Sequence, residues 1–86
     1  MSTFEEQRDH AEVCAEVRMR LQEAFGDVRG RNLSRALLEA AEHGGWPSWV
    51  AASTRRRHMA QLRSVGIHSL NMEDALAELR GHDGDR

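Results

Sequence analysis

His10 and Cys14 stand four residues apart, a spacing that puts an imidazole and a thiol on one face of a helix. Together they could touch a metal ion. A structural zinc site needs four such ligands, and His43, His58, His68 and His82 are scattered, with no second pair at that spacing. Neither metal nor cofactor is therefore expected, and Cys14 reads as a small core residue. Spacing alone assembles no nucleophile, base and orienting group, and no glycine-rich phosphate loop follows a strand. Catalytic residues are not expected, so the chemistry to look for is recognition.

The strongest recognition signal is the segment from Ser53 to Ile67. A hydroxyl pair, Ser53 and Thr54, is followed at once by Arg55, Arg56 and Arg57. Cations in a first helical turn oppose the helix macrodipole, at a few tenths of a kcal/mol each. Something other than helix stability favours them, and a phosphate or an acidic partner would gain from the guanidinium forks. Arg56 and Arg63 are seven residues apart and share a face, with Met59 and Leu62 on the other. Just upstream, Trp46-Pro-Ser-Trp49 holds both tryptophans. Either both plug a small core, or one is an exposed anchor for a partner, since Trp and Arg dominate interface hot spots.

All twelve basic residues are arginine and the net charge is −2, but the charge is segregated. Residues 1–27 hold three arginines and seven acids, 28–69 seven arginines and two acids, 70–86 two arginines and five acids. A basic block that includes Arg31 and Arg35 thus lies between acidic flanks. It either attracts an external anion or is neutralised by those flanks.

The elements that carry these residues are helical throughout. Ser2 or Thr3 can form a capping box with Glu5 or Glu6. Ala11, Cys14, Val17, Leu21, Ala24 and Phe25 then form a stripe that predicts one long helix over about 3–25, stopped by Gly26. Asp27 to Arg31 reads as a connector. Asn32 caps a second helix carrying Leu33, Ala36, Leu37, Ala40 and Ala41, which ends at Gly44–Gly45. Pro47 suits the first turn of a third helix. Ser53 or Thr54 restarts a helix with His58 or Met59, Leu62 and Val65 inward and Gly66 at its end. Asn71 caps a last helix with Leu76 and Leu79 inside and an exit at Arg80–Gly81. The reading is all-α: a compact bundle of four to five helices, one domain over 1–81, and a disordered polar tail over 82–86.

At 86 residues the chain allows one domain with a small core. No apolar run approaches the roughly 18 residues of a membrane span, and the charged N-terminus lacks a signal-peptide core. A lone cysteine excludes an internal disulfide and fits a reducing cytoplasm.

The arginine segment resembles the recognition helix of helix-turn-helix and winged-helix DNA-binding domains. The residues that carry the resemblance are Thr54, Arg55–Arg57, Leu62 and the Gly66–Ile67 pair, with the Leu33–His43 helix and the Pro47–Ala52 turn in the supporting places. The resemblance implies a small bacterial or phage transcriptional regulator in which Arg55, Arg56, Arg57 and Arg63 touch phosphates or base edges of double-stranded DNA. The alternative is a helical protein-binding module or phage-type inhibitor that meets an acidic protein surface with Trp49 and the arginine face. A homodimer is compatible with both. Its sequence cue is the heptad Phe4–Ala11–Arg18–Phe25 with Gln7–Cys14–Leu21–Val28.

Overall fold

A computed structural model describes the backbone of residues 3–84 and the side chains of residues 10–82. Four helices follow one another: α1 (Thr3–Phe25), α2 (Asp27–His43), α3 (Ala52–Ser64) and α4 (Met72–Gly84), with no strand among the described residues. The all-α class agrees with the sequence reading. The body measures 42 × 35 × 21 Å, and its thickness is that of two helices.

A single residue turns the chain between α1 and α2. Gly26, at φ 95°, donates to the Gln22 carbonyl, and its own carbonyl accepts the Gly30 amide (both 2.8 Å). Asp27 to Arg31 is therefore not a connector, and Asn32 is no cap but an exposed position inside α2. Asp27 favours this earlier start, because a carboxylate in the first turn complements the dipole. Gly30 favours it more, because the backbone of α1 passes where a side chain would stand: a Cβ there would lie 2.4 Å from Gln22 Cα.

Helix α2 stops as its sequence implies. Gly44 is left-handed (φ 72°), and the Gly45 and Gly44 amides return to the carbonyls of Ala40 and Ala41. Helix α3 ends the same way at Gly66, with Ile67 donating to Leu62. Both are Schellman closures, and buried Leu62 and Ile67 make the apolar contact that accompanies the second. Pro47 opens no helix. Its carbonyl accepts the Val50 amide at 3.1 Å and closes one isolated turn, since so short a stretch has too few hydrogen bonds to propagate. Ser53 and Thr54 do not cap α3 either: the cap is Ala51, which has no side-chain acceptor, and both hydroxyl residues lie inside the first turn.

Asn71 does cap α4, its side-chain oxygen accepting the Asp74 amide at 3.0 Å. The helix passes the expected exit at Arg80–Gly81 and reaches Gly84, so the expected tail begins within it; Asp85 and Arg86 lie outside the described residues. The Glu78 carboxylate fastens the α3–α4 loop by accepting the His68 and Ser69 amides and the Ser69 hydroxyl. No described helix is long and apolar enough to cross a membrane.

The core joins Val17 and Leu21 of α1, Leu33 and Leu37 of α2, Leu62 of α3, Ile67, and Met72, Ala75, Leu76 and Leu79 of α4. Ala11 and Ala24, expected on the inner stripe, are exposed. The heptad seam read as a cue for self-association is divided: Leu21 is fully buried and Cys14 and Phe25 pack on the core, while Ala11, Arg18 and Val28 are exposed. The side chains of Phe4 and Gln7 lie outside the described residues.

Candidate nucleic-acid interface

Helix α3 contributes one fully buried side chain, Leu62. Thr54, His58, Gln61 and Val65, partly buried, complete its inner stripe at helical spacing, while Arg56, Ala60 and Arg63 face outward. Met59 is half-buried beside His58, so both residues offered as alternatives for the inner face are partly covered. Arg55, Arg56, Arg57 and Arg63 are exposed, and none makes an ion pair among the described residues.

The same holds for Arg29, Arg31 and Arg35. Neutralisation of the basic block by the acidic flanks is thus not what the described residues do. The flanks pair internally: Glu16 accepts from Arg20 at 2.9 Å and from Arg80 at 2.7 Å, and His10 Nδ1 lies 3.4 Å from Glu73. Hydrogen bonds from Arg80 and then Arg20 hold the Glu16 carboxyl below the usual carboxylate range.

Arg57 lines a cleft of about 840 Å³ between α3 and the α1–α2 corner. Arg29 and Asn32 line its α2 side and Arg57, His58 and Gln61 its α3 side, with Asp27 as the one acid. Two arginines, an asparagine and a glutamine thus line one open groove. The sequence reading passed over Arg29, Asn32 and Gln61. Once α2 begins at Asp27, Arg29 and Asn32 fall three apart on one flank of that helix.

Arg31 and Arg35 do not join this surface. Counted at 100° per residue, they sit on the other flank of the buried stripe Gly30–Leu33–Leu37 from Arg29. There they line a separate groove of about 410 Å³ with Arg18 of α1. The candidate arginines therefore form two groups on different sides of the molecule.

The two tryptophans also part. Trp46 packs partly buried against the core and stacks on His58, with ring centroids 5.9 Å apart. Trp46 Nε1 and His58 Nδ1 are both buried without a hydrogen-bond partner among the described residues. Trp49 is 66% exposed, with the His43 ring set edge-on to it at 5.2 Å.

Near the start of α4, Glu73 approaches His10, whose Nε2 lies 3.7 Å from Cys14 Sγ. Burial, then the charges of Glu73 and Glu42, push the Cys14 thiol up from its ordinary value, so it stays protonated and weakly nucleophilic at neutral pH.

Eight residues, Gly44–Ala51, connect α2 to α3, where a helix-turn-helix has three or four. Compared with known proteins, the chain matches no family model, no curated protein and no solved structure.

Proposed function

We propose that this protein is a small, non-enzymatic DNA-binding protein of the cytoplasm, a transcriptional regulator that lays α3 against double-stranded DNA. One observation carries the reading: the α3 arginines are exposed and unpaired among the described residues, although the chain as a whole is acidic. Fixed cations that find no internal carboxylate are the electrostatic footprint of a polyanion. Helix α3 is held to the core chiefly by Leu62, so its outer face stands clear, and a helix of its width fits the major groove. In this arrangement Arg56 and Arg63 face the groove floor. Arg55 and Arg57 on the flanks of the helix reach phosphates, Thr54 stays on its inner stripe, and Arg29 extends the contact across the cleft. One acid of α1, Glu16, is held by Arg20 and Arg80 and not by an arginine of α3. The reading rests on these arginines and not on a helix-turn-helix connection.

Selection from a random duplex pool at about physiological salt tests it, comparing wild type with the Arg55/Arg56/Arg57 triple alanine variant. Enrichment of a motif by wild type alone is expected. No enrichment at any concentration would end the proposal. Exposed Trp49 supports a second reading, a protein-binding module that meets an acidic surface, and a capture experiment from host cells would then follow.

A further inference from the structure

The groove of about 410 Å³ between α1 and α2 takes no lining residue from α3 and has no acid in its wall. Three arginines line it, Arg18 of α1 with Arg31 and Arg35 of α2. All three are exposed, and none makes an ion pair among the described residues. Arg31 and Arg35 stand one turn apart on the same helix, where like charges repel. The backbones set the order along the groove. Helices α1 and α2 pack together as they run in opposite directions from the Gly26 turn, and Gly30 lies against Gln22. Four residues further along each helix, Arg18 lies level with Ser34, which Arg31 and Arg35 flank; eight residues along, Cys14 lies level with Leu38. Met72 belongs to this far end, because its neighbour Glu73 approaches His10. The groove therefore has an arginine end, small side chains at Ala15 and Ser34 in the middle, and an apolar end at Cys14, Leu38 and Met72. Outside the wall at that apolar end, Glu73 and Glu42 place negative charge near Cys14.

We propose that this groove binds a small amphipathic anion, a phosphate monoester with a short apolar body. The phosphate lies among Arg18, Arg31 and Arg35, and the body runs past Ala15 toward Cys14 and Leu38. A phosphate is favoured over a single carboxylate because its three terminal oxygens can be met by several guanidinium forks at once. Its charge also relieves the repulsion between arginines that no carboxylate of the wall offsets. The acids near Cys14 fix the direction, since they turn a charged head toward the arginine end. A cavity of this volume is of the size that holds a small molecule. The site does not depend on the DNA reading, since α3 and its arginines take no part.

Calorimetric titration of the full chain with hexyl phosphate, and with inorganic phosphate for comparison, tests the inference. Hexyl phosphate should bind about tenfold or more tighter than inorganic phosphate, because several of its methylenes leave water. R31A/R35A should lose about tenfold or more of that affinity, and R56A/R57A should keep it. Bound hexyl phosphate should also slow the alkylation of Cys14 by iodoacetamide, a reading of one thiol because the chain has one cysteine. Helix content by circular dichroism establishes that each variant is folded. No binding of hexyl phosphate up to roughly 10 mM would overturn the proposal. So would an affinity no greater than that of inorganic phosphate, or a Cys14 alkylated at the same rate when the ligand is bound. Equal losses in R31A/R35A and R56A/R57A would mean general attraction by positive charge, and would overturn it too.

Discussion

Gly30 of α2 lies directly over Gln22 of α1, so close that a Cβ on Gly30 would stand 2.4 Å from both the Cα and the amide nitrogen of Gln22. The neighbouring Leu21 carbonyl would be 2.5 Å away. All three atoms are backbone and cannot swing aside. Gly30→Ala should therefore cost about 3 kcal/mol or more, at the upper end of overpacking effects, despite the better helix propensity of alanine. Thermal unfolding checks this. Gly81→Ala makes the contrast: nothing stands within 4 Å of a Cβ there, and the change should be neutral or mildly stabilising.

Glu78 makes stability depend on acid. Burial pushes its carboxyl up, but hydrogen bonds from the His68 amide and from the Ser69 hydroxyl and amide outweigh that and leave it below the ordinary value. A carboxylate depressed in the folded state stabilises above its unfolded pKa, and that contribution is lost as pH falls through the folded one. E78Q should lose about 1–2 kcal/mol at pH 7. The difference between the two proteins should shrink toward zero well below pH 4, as denaturant melts across pH would read.

Trp49 and Trp46 should be separable in solution. Iodide should quench a large part of the wild-type fluorescence and little of that of Trp49→Phe, because Trp46 is shielded by the core and by His58. Equal quenching of both proteins would contradict the placement of Trp46.

The Asn71 cap predicts that Asn71→Ala loses about 1 kcal/mol, the usual worth of a side-chain acceptor at a helix start. Ser53→Ala should cost little, because Ala51 and not Ser53 occupies the cap of α3. Denaturant titration of the two variants side by side reads the contrast.

What the sequence made legible was local. The stops at Gly44 and Gly66 and the cap at Asn71 each depend on a few adjacent residues, and each stands where its chemistry implies. The start of α2 depends on a backbone contact between Gly30 and Gln22, which no local signal carries. Pro47 has the chemistry of a helix start as well as of a turn, and Trp46 packing on the core accompanies the turn. The candidate site shows the same limit. Arg55, Arg56, Arg57 and Arg63 were legible as one helix face. That Arg29 would join them and Arg31 and Arg35 would not depends on where α3 lies relative to the α1–α2 corner, a fact of tertiary arrangement.

The division of the arginines into two groups gives the account its sharpest test. Affinity for a duplex should be measured as a function of salt for wild type, R56A/R57A and R31A/R35A. If α3 is the DNA-binding element, R56A/R57A should bind more weakly, with a slope of log affinity on log salt lower by up to about two. R31A/R35A should keep nearly the wild-type slope. Equal losses in both variants, or a wild type whose binding does not respond to salt, would contradict the account.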